Sequence, residues 1–74
     1  MKLTTTSKPR EVEAYLREEV RKLFGDATEN EANIFSAHGY YNVDFVLPDG
    51  QQAAFKNFRK AGVPKIVKAI RSLK

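Results

Sequence analysis

The 74-residue chain has no cysteine and only one histidine, and no apolar run approaches the roughly 20 residues needed to cross a bilayer. Without cysteine there is neither a disulfide framework nor a thiolate metal site, which fits a reducing cytoplasm or a phage product made there. There is also no Gly-rich phosphate loop and no carboxylate pair at metal or glycosidase spacing. Metal and thiol catalysis are therefore close to excluded, and neither a metal nor a cofactor is expected. The stretch from Met1 to Ser7 has no apolar core long enough for a signal peptide, so residues 1–7 read as a flexible tail before one domain over residues 8–74. A domain of this size buries only about 60% of the surface its unfolded chain exposes, which leaves room for one small core.

Acid is scarce in one half of the chain. Residues 1–47 carry six Lys/Arg against eight Asp/Glu, or −2, while residues 48–74 carry seven against one, Asp49, or +6; together these give the formal charge of +4. A basic half on a small domain is the footprint of a phosphate-bearing partner; the alternative is a solvated Lys/Arg face that serves solubility.

The residues from Tyr40 to Phe58 fix a turn, a register and two faces at once. Tyr41, Val43, Phe45 and Leu47 alternate with Tyr40, Asn42 and Asp44, which predicts a strand with one apolar side. Pro48 presets a type I turn, Asp49 can bond the local backbone, and Gly50 supplies the left-handed position that closes a bulged hairpin. A hairpin alone is marginal in water, so its flanks must cover the apolar face.

One such flank is a helix from Pro9 to Phe24, with Val12, Tyr15, Leu16, Val20, Leu23 and Phe24 on one stripe. Ser7 or Lys8 caps it, Pro9 suits its first turn and Gly25 stops it. Its mixed charges give it no role beyond covering the sheet. The segment Asp26 to Gly39 reads two ways. Thr28 with Glu31 has the capping-box pattern of a short helix, whereas Ala32 to Ser36 reads as an edge strand turning at Ala37-His38-Gly39. The strand reading is preferred because a third strand makes the hairpin an adequate platform. The fold class is then α+β: a single small domain in the order α-β-β-β-α, its antiparallel sheet covered by two helices. The helix reading would give α-α-β-β-α.

A final helix is predicted from Val63 or Pro64 to Leu73, with Ile66, Ala69, Ile70 and Leu73 as its apolar stripe. Lys65, Lys68 and Arg71 fall at about 0°, 300° and 240° around the axis, a basic stripe on another side. Lys56, Arg59 and Lys60 precede it and feed a helix N-terminus that already favours an anion. Cations at the C-terminal end merely complement the helix dipole, but Lys60 and Lys65 stand at the positive end, where they cost slightly. His38 is the one general acid or base available near neutral pH, and a turn histidine is also an ordinary solvated residue. Tyr40 faces away from the core and can stack on a base, or simply serve strand propensity.

The helix, three strands and helix, with basic residues entering the last helix, resemble the double-stranded-RNA-binding fold, which reads shape and backbone. Lys60, Lys65 and Lys68 stand roughly where that family places its phosphate-binding lysines, although its adjacent lysines after a Gly-rich approach are replaced here by Arg59-Lys60-Ala61-Gly62-Val63-Pro64-Lys65. More locally, His38 to Val43, Leu47 to Gly50 and Lys65 to Ile70 are similar to HicA-type mRNA interferase toxins, over Ser36 to Leu73. That resemblance implies a catalytic histidine, His38, and a metal-independent endoribonuclease with an antitoxin as protein partner. In HicA-type proteins the histidine lies beside an aromatic within the strand, whereas His38 precedes Gly39.

The leading expectation is a cytoplasmic nucleic-acid-binding domain, RNA before DNA, gripping phosphates with Lys56, Arg59, Lys60, Lys65, Lys68 and Arg71 and presenting Tyr40. The alternatives are a ribonuclease using His38, and a phage or host regulatory protein that docks on another protein through its sheet edge.

Overall fold

The computed structural model of the chain describes residues 8–74, so the tail expected over residues 1–7 lies outside the described residues. The elements are α1 (Pro9–Phe24), α2 (Asp26–Glu31), β1 (Asn33–Ala37), β2 (Tyr40–Val46), β3 (Gln52–Phe58), a 3-10 turn (Lys60–Gly62) and α3 (Val63–Ser72). The strands form one antiparallel sheet in the order β1-β2-β3. The predicted order of helix, three strands and helix is present, with one short helix added after α1.

Both ends of α1 follow from local chemistry. Lys8 is the cap, its backbone N–H donating to Glu11 Oε1 at 3.0 Å, and Pro9 opens the first turn. At the other end Gly25 takes φ +101°, and its N–H donates to the Arg21 carbonyl at 2.8 Å. The same glycine starts α2. The two readings of the middle segment are thus both realised in succession, helix over Asp26–Glu31 and strand over Asn33–Ala37. The capping box expected from Thr28 and Glu31 does not form, because the helix is capped by Gly25, three residues earlier. Thr28 instead lies inside α2, buried, with its hydroxyl donating at 3.5 Å to the Phe24 carbonyl.

The hairpin closes as its residues dictate. Leu47 accepts from the Gly50 N–H at 2.9 Å and donates to the Gln51 carbonyl at 2.7 Å, while Asp49 Oδ1 accepts from the Gln51 N–H at 3.0 Å. Gly50 has φ +94°, the left-handed position that only glycine takes without strain. On β3 the three-residue spacing of Phe55 and Phe58 breaks strict alternation. A bulge resolves it: Tyr41 pairs with Phe58 and Val43 with Phe55, so Lys56 and Asn57 together oppose Asn42. Asn57 carries the positive φ of +57°, and its N–H donates to Asn42 Oδ1 at 3.3 Å. Phe55 and Phe58 therefore share the core side with Ala53.

One core joins the helices to one side of the sheet. Val12, Leu16 and Val20 of α1 meet Ile34, Tyr41, Val43 and Phe45, and Val63, Val67 and Ile70 of α3 join the same cluster. Phe24 and Phe45 rings lie 5.4 Å apart, and Ser36 of β1 donates to Glu13 Oε2 of α1 at 2.7 Å. The stripe expected on α3 is rotated: Val63 and Val67 are buried with Ile70, Ile66 is half-buried, and Leu73 is 39% exposed. The helix begins at Val63, so Val63, Val67 and Ile70 at i, i+4 and i+7 form a second legitimate apolar stripe, and it is this one that faces α1. No described helix is long and apolar enough to cross a membrane.

Candidate functional site

Strand register fixes which side chains share an end of the molecule. The β1–β2 connection is the two-residue turn His38-Gly39, with φ of +52° and +82°. Two successive positive φ values are the mark of a type I′ hairpin turn, and histidine is among the residues that tolerate this region. Ala37 pairs with Tyr40 and Tyr41 with Phe58, so this turn, the start of β2 and the end of β3 lie together. The 3-10 turn and α3 follow directly from that end of β3. The Pro48-Asp49-Gly50 turn is at the far end of the sheet, roughly 20 Å away at the rise of a strand. Asp49, the one acid among residues 48–74, is therefore remote from the basic end.

At the basic end the structure joins two of the predicted residues directly. Arg59 Nη2 donates to the Tyr40 hydroxyl at 3.0 Å, and its guanidinium carbon stands 5.2 Å from the Tyr40 ring centroid. This is a cation–π arrangement that leaves the other guanidinium donors available. Lys60 is half-buried in the 3-10 turn. Lys65, in the first turn of α3, and Lys68, one turn on, are exposed and make no hydrogen bond or ion pair with another described residue. No acidic residue occupies that first turn. Lys56 is exposed on β3, on the side of the sheet away from the helices.

Arg71 is held elsewhere. Its Nε and Nη2 both donate to Glu19 Oε1, at 2.9 and 2.6 Å, tying the end of α3 to the middle of α1. The Glu19 side chain is only 7% exposed against 58% for Arg71, so the arginine compensates a buried carboxylate. Sequence reading gave Glu19 no role, yet a signal was present: Val12, Leu16, Glu19 and Leu23 follow helical spacing, which places a carboxylate on the apolar stripe.

His38 is exposed and makes no side-chain hydrogen bond to another described residue. Its position is accounted for by the turn. Among the described residues no group of three His, Cys, Asp or Glu could hold a metal ion. Elsewhere on α1, the hydrogen bond from Arg21 holds the Glu18 carboxyl below its ordinary range, and Glu18 in turn raises Arg21; both are solvent-exposed and lie outside the basic end.

Phe35 was not singled out by sequence and is 51% exposed, on the sheet side opposite the core. Tyr40, 37% exposed, lies on the same side. No protein-family model, curated protein or solved structure matches the chain, and function has to be inferred from this geometry.

Proposed function

We propose that the protein is a small nucleic-acid-binding domain, RNA before DNA, that grips phosphates at the end of the sheet where α3 begins. Arg59, Lys60, Lys65 and Lys68 carry the grip, with Lys56 at its margin, and the setting is the cytoplasm. The observation that supports this most is the placement of Lys65 and Lys68. Both are exposed without an acidic partner among the described residues, near a helix N-terminus that has no acid in its first turn. Lys65, in that first turn, opposes the helix dipole, which makes sense if an anion completes the site. Helix, three antiparallel strands and helix is also the order of the double-stranded-RNA-binding fold that the sequence resembles, and this favours RNA.

Phosphate contact releases counterions, so affinity should fall linearly on logarithmic axes as salt rises. With four cations engaged the slope should be roughly −3, from about −0.7 to −0.9 per phosphate. Fluorescence anisotropy with labelled RNA across a salt series reads this directly. A protein with no RNA affinity at low salt, or with affinity indifferent to salt, does not work this way.

A second reading, the HicA-like endoribonuclease, is favoured by one observation: the His38-Gly39 turn lies at the same end as Arg59 and Tyr40. Its test needs a substitution that keeps the positive φ. His38→Asn does so, asparagine being tolerant of that region, whereas alanine adds strain. On the binding reading, His38→Asn leaves RNA affinity unchanged and the wild-type protein leaves labelled RNA intact; cleavage by wild type that His38→Asn abolishes would establish the enzyme instead.

A further inference from the structure

We infer that the uncovered side of the sheet is a stacking platform for the bases of single-stranded nucleic acid. This deepens the phosphate-grip reading and rests on it, since stacking alone gives weak binding. The helices cover one side of the sheet, and the other carries Phe35, Tyr40, Asn42, Ala54 and Lys56. Phe35 pairs with Asn42 across the strands, and Tyr40 stands two residues from Asn42 on β2. The two residues are therefore diagonal neighbours on one surface, about 7–8 Å apart. An extended, unstacked strand can span that interval between successive bases.

What distinguishes this surface from a plain apolar interface is the charge around the rings. Arg59 leans on Tyr40, and Lys56 of β3 stands across Asn42 from Phe35, so both cations line the β3 side of the aromatic pair, where the backbone of a bound strand can run. The carboxylate on this surface, Asp44, accepts a hydrogen bond from Asn33 Nδ2 at 3.2 Å. Beside it Ala54 leaves a shallow hollow of about 270 Å³ between β2 and β3, rimmed by Asp44 and Lys56. Two exposed rings with cations beside them match the way sheet surfaces hold unpaired bases, which offer a stacking face whatever their identity. Arg59 also follows β3 directly and caps the 3-10 turn, which makes it the junction between this platform and the lysines of α3.

The test compares a fluorescein-labelled oligouridylate of about 12 nucleotides with a labelled RNA duplex of about 16 base pairs, for wild type, Phe35→Thr and Phe35→Trp. Threonine keeps strand propensity and removes the ring; tryptophan keeps a ring. Phe35→Thr should weaken single-strand binding roughly 5- to 150-fold and leave duplex binding nearly untouched, while Phe35→Trp binds at least as well as wild type. Unchanged single-strand affinity in a folded Phe35→Thr protein overturns the platform and leaves the phosphate grip standing. Wild type that binds neither RNA removes both. A Phe35-dependent dimer seen by sedimentation without RNA overturns the platform too, because the surface would then belong to a second copy of the chain.

Discussion

Reversing the charge at Lys65 and Lys68 together is expected to weaken RNA binding by about 100-fold or more and to flatten its salt dependence by about two units of slope. Both side chains are exposed, and neither makes a hydrogen bond or ion pair with another described residue, so the loss should come without a fall in melting temperature. That pairing of outcomes makes the experiment decisive. A surface kept basic only for solubility would tolerate the double substitution Lys65→Glu, Lys68→Glu with no change in affinity. Lys65 also sits in the first turn of α3, at its positive end, where glutamate interacts better with the helix dipole, so the variant should be no less stable than wild type even as it binds less.

Arg71 is expected to behave in the opposite way. Although it continues the basic stripe of α3, its guanidinium is committed to Glu19 through two donors. Arg71→Ala leaves a carboxylate buried between α1 and α3 with no partner, at a cost of roughly 2 kcal/mol after allowing for the arginine's own exposure. For a domain of this size that corresponds to a fall in melting temperature of about 8–16 °C. Glu19→Leu should be milder, because the arginine it releases is already more than half in water. The double substitution should recover much of what Arg71→Ala loses, since no charge is left stranded. At temperatures where Arg71→Ala is folded, its RNA affinity should stay close to that of wild type; a large loss of affinity with little loss of stability would make Arg71 a phosphate ligand after all.

The contrast between these lysines and Arg71 shows how far the chain could be read before its coordinates. Features set by neighbours in sequence were legible. Pro9 and Gly25 bound α1, and Pro48-Asp49-Gly50 closes the main hairpin, because the backbone preferences of these residues act within a few positions. The middle segment stayed double because Gly25 serves two helices and a six-residue helix abuts a five-residue strand, each too short for its periodicity to outweigh the other. Features set by distant partners were not legible. Glu19 and Arg71 are 52 residues apart, and no local rule couples them. The bulge at Lys56 and Asn57 is a compromise between two phenylalanines spaced three apart and a strand of period two, visible once β2 imposes its register. Phe35 takes no role from sequence because the segment reads as helix or strand; once it is a strand, Phe35 falls on the opposite side from the buried Ile34. The concentration of basic residues after Pro48 was plain from counting; which of them face solvent without a partner, and which are spent on folding, is a property of three dimensions.

The account depends on anion binding where β3 leads into α3. Titrating isotope-labelled protein with short single-stranded and duplex RNA, and following every backbone amide by NMR, tests this most directly. The largest shifts should fall on Arg59 to Lys68 and on Tyr40, with Phe35 and Ala54 joining for the single strand, and all should fade as salt is raised. Shifts confined to the Pro48-Asp49-Gly50 turn or to the outer side of α1, or no shifts at low salt, would contradict it.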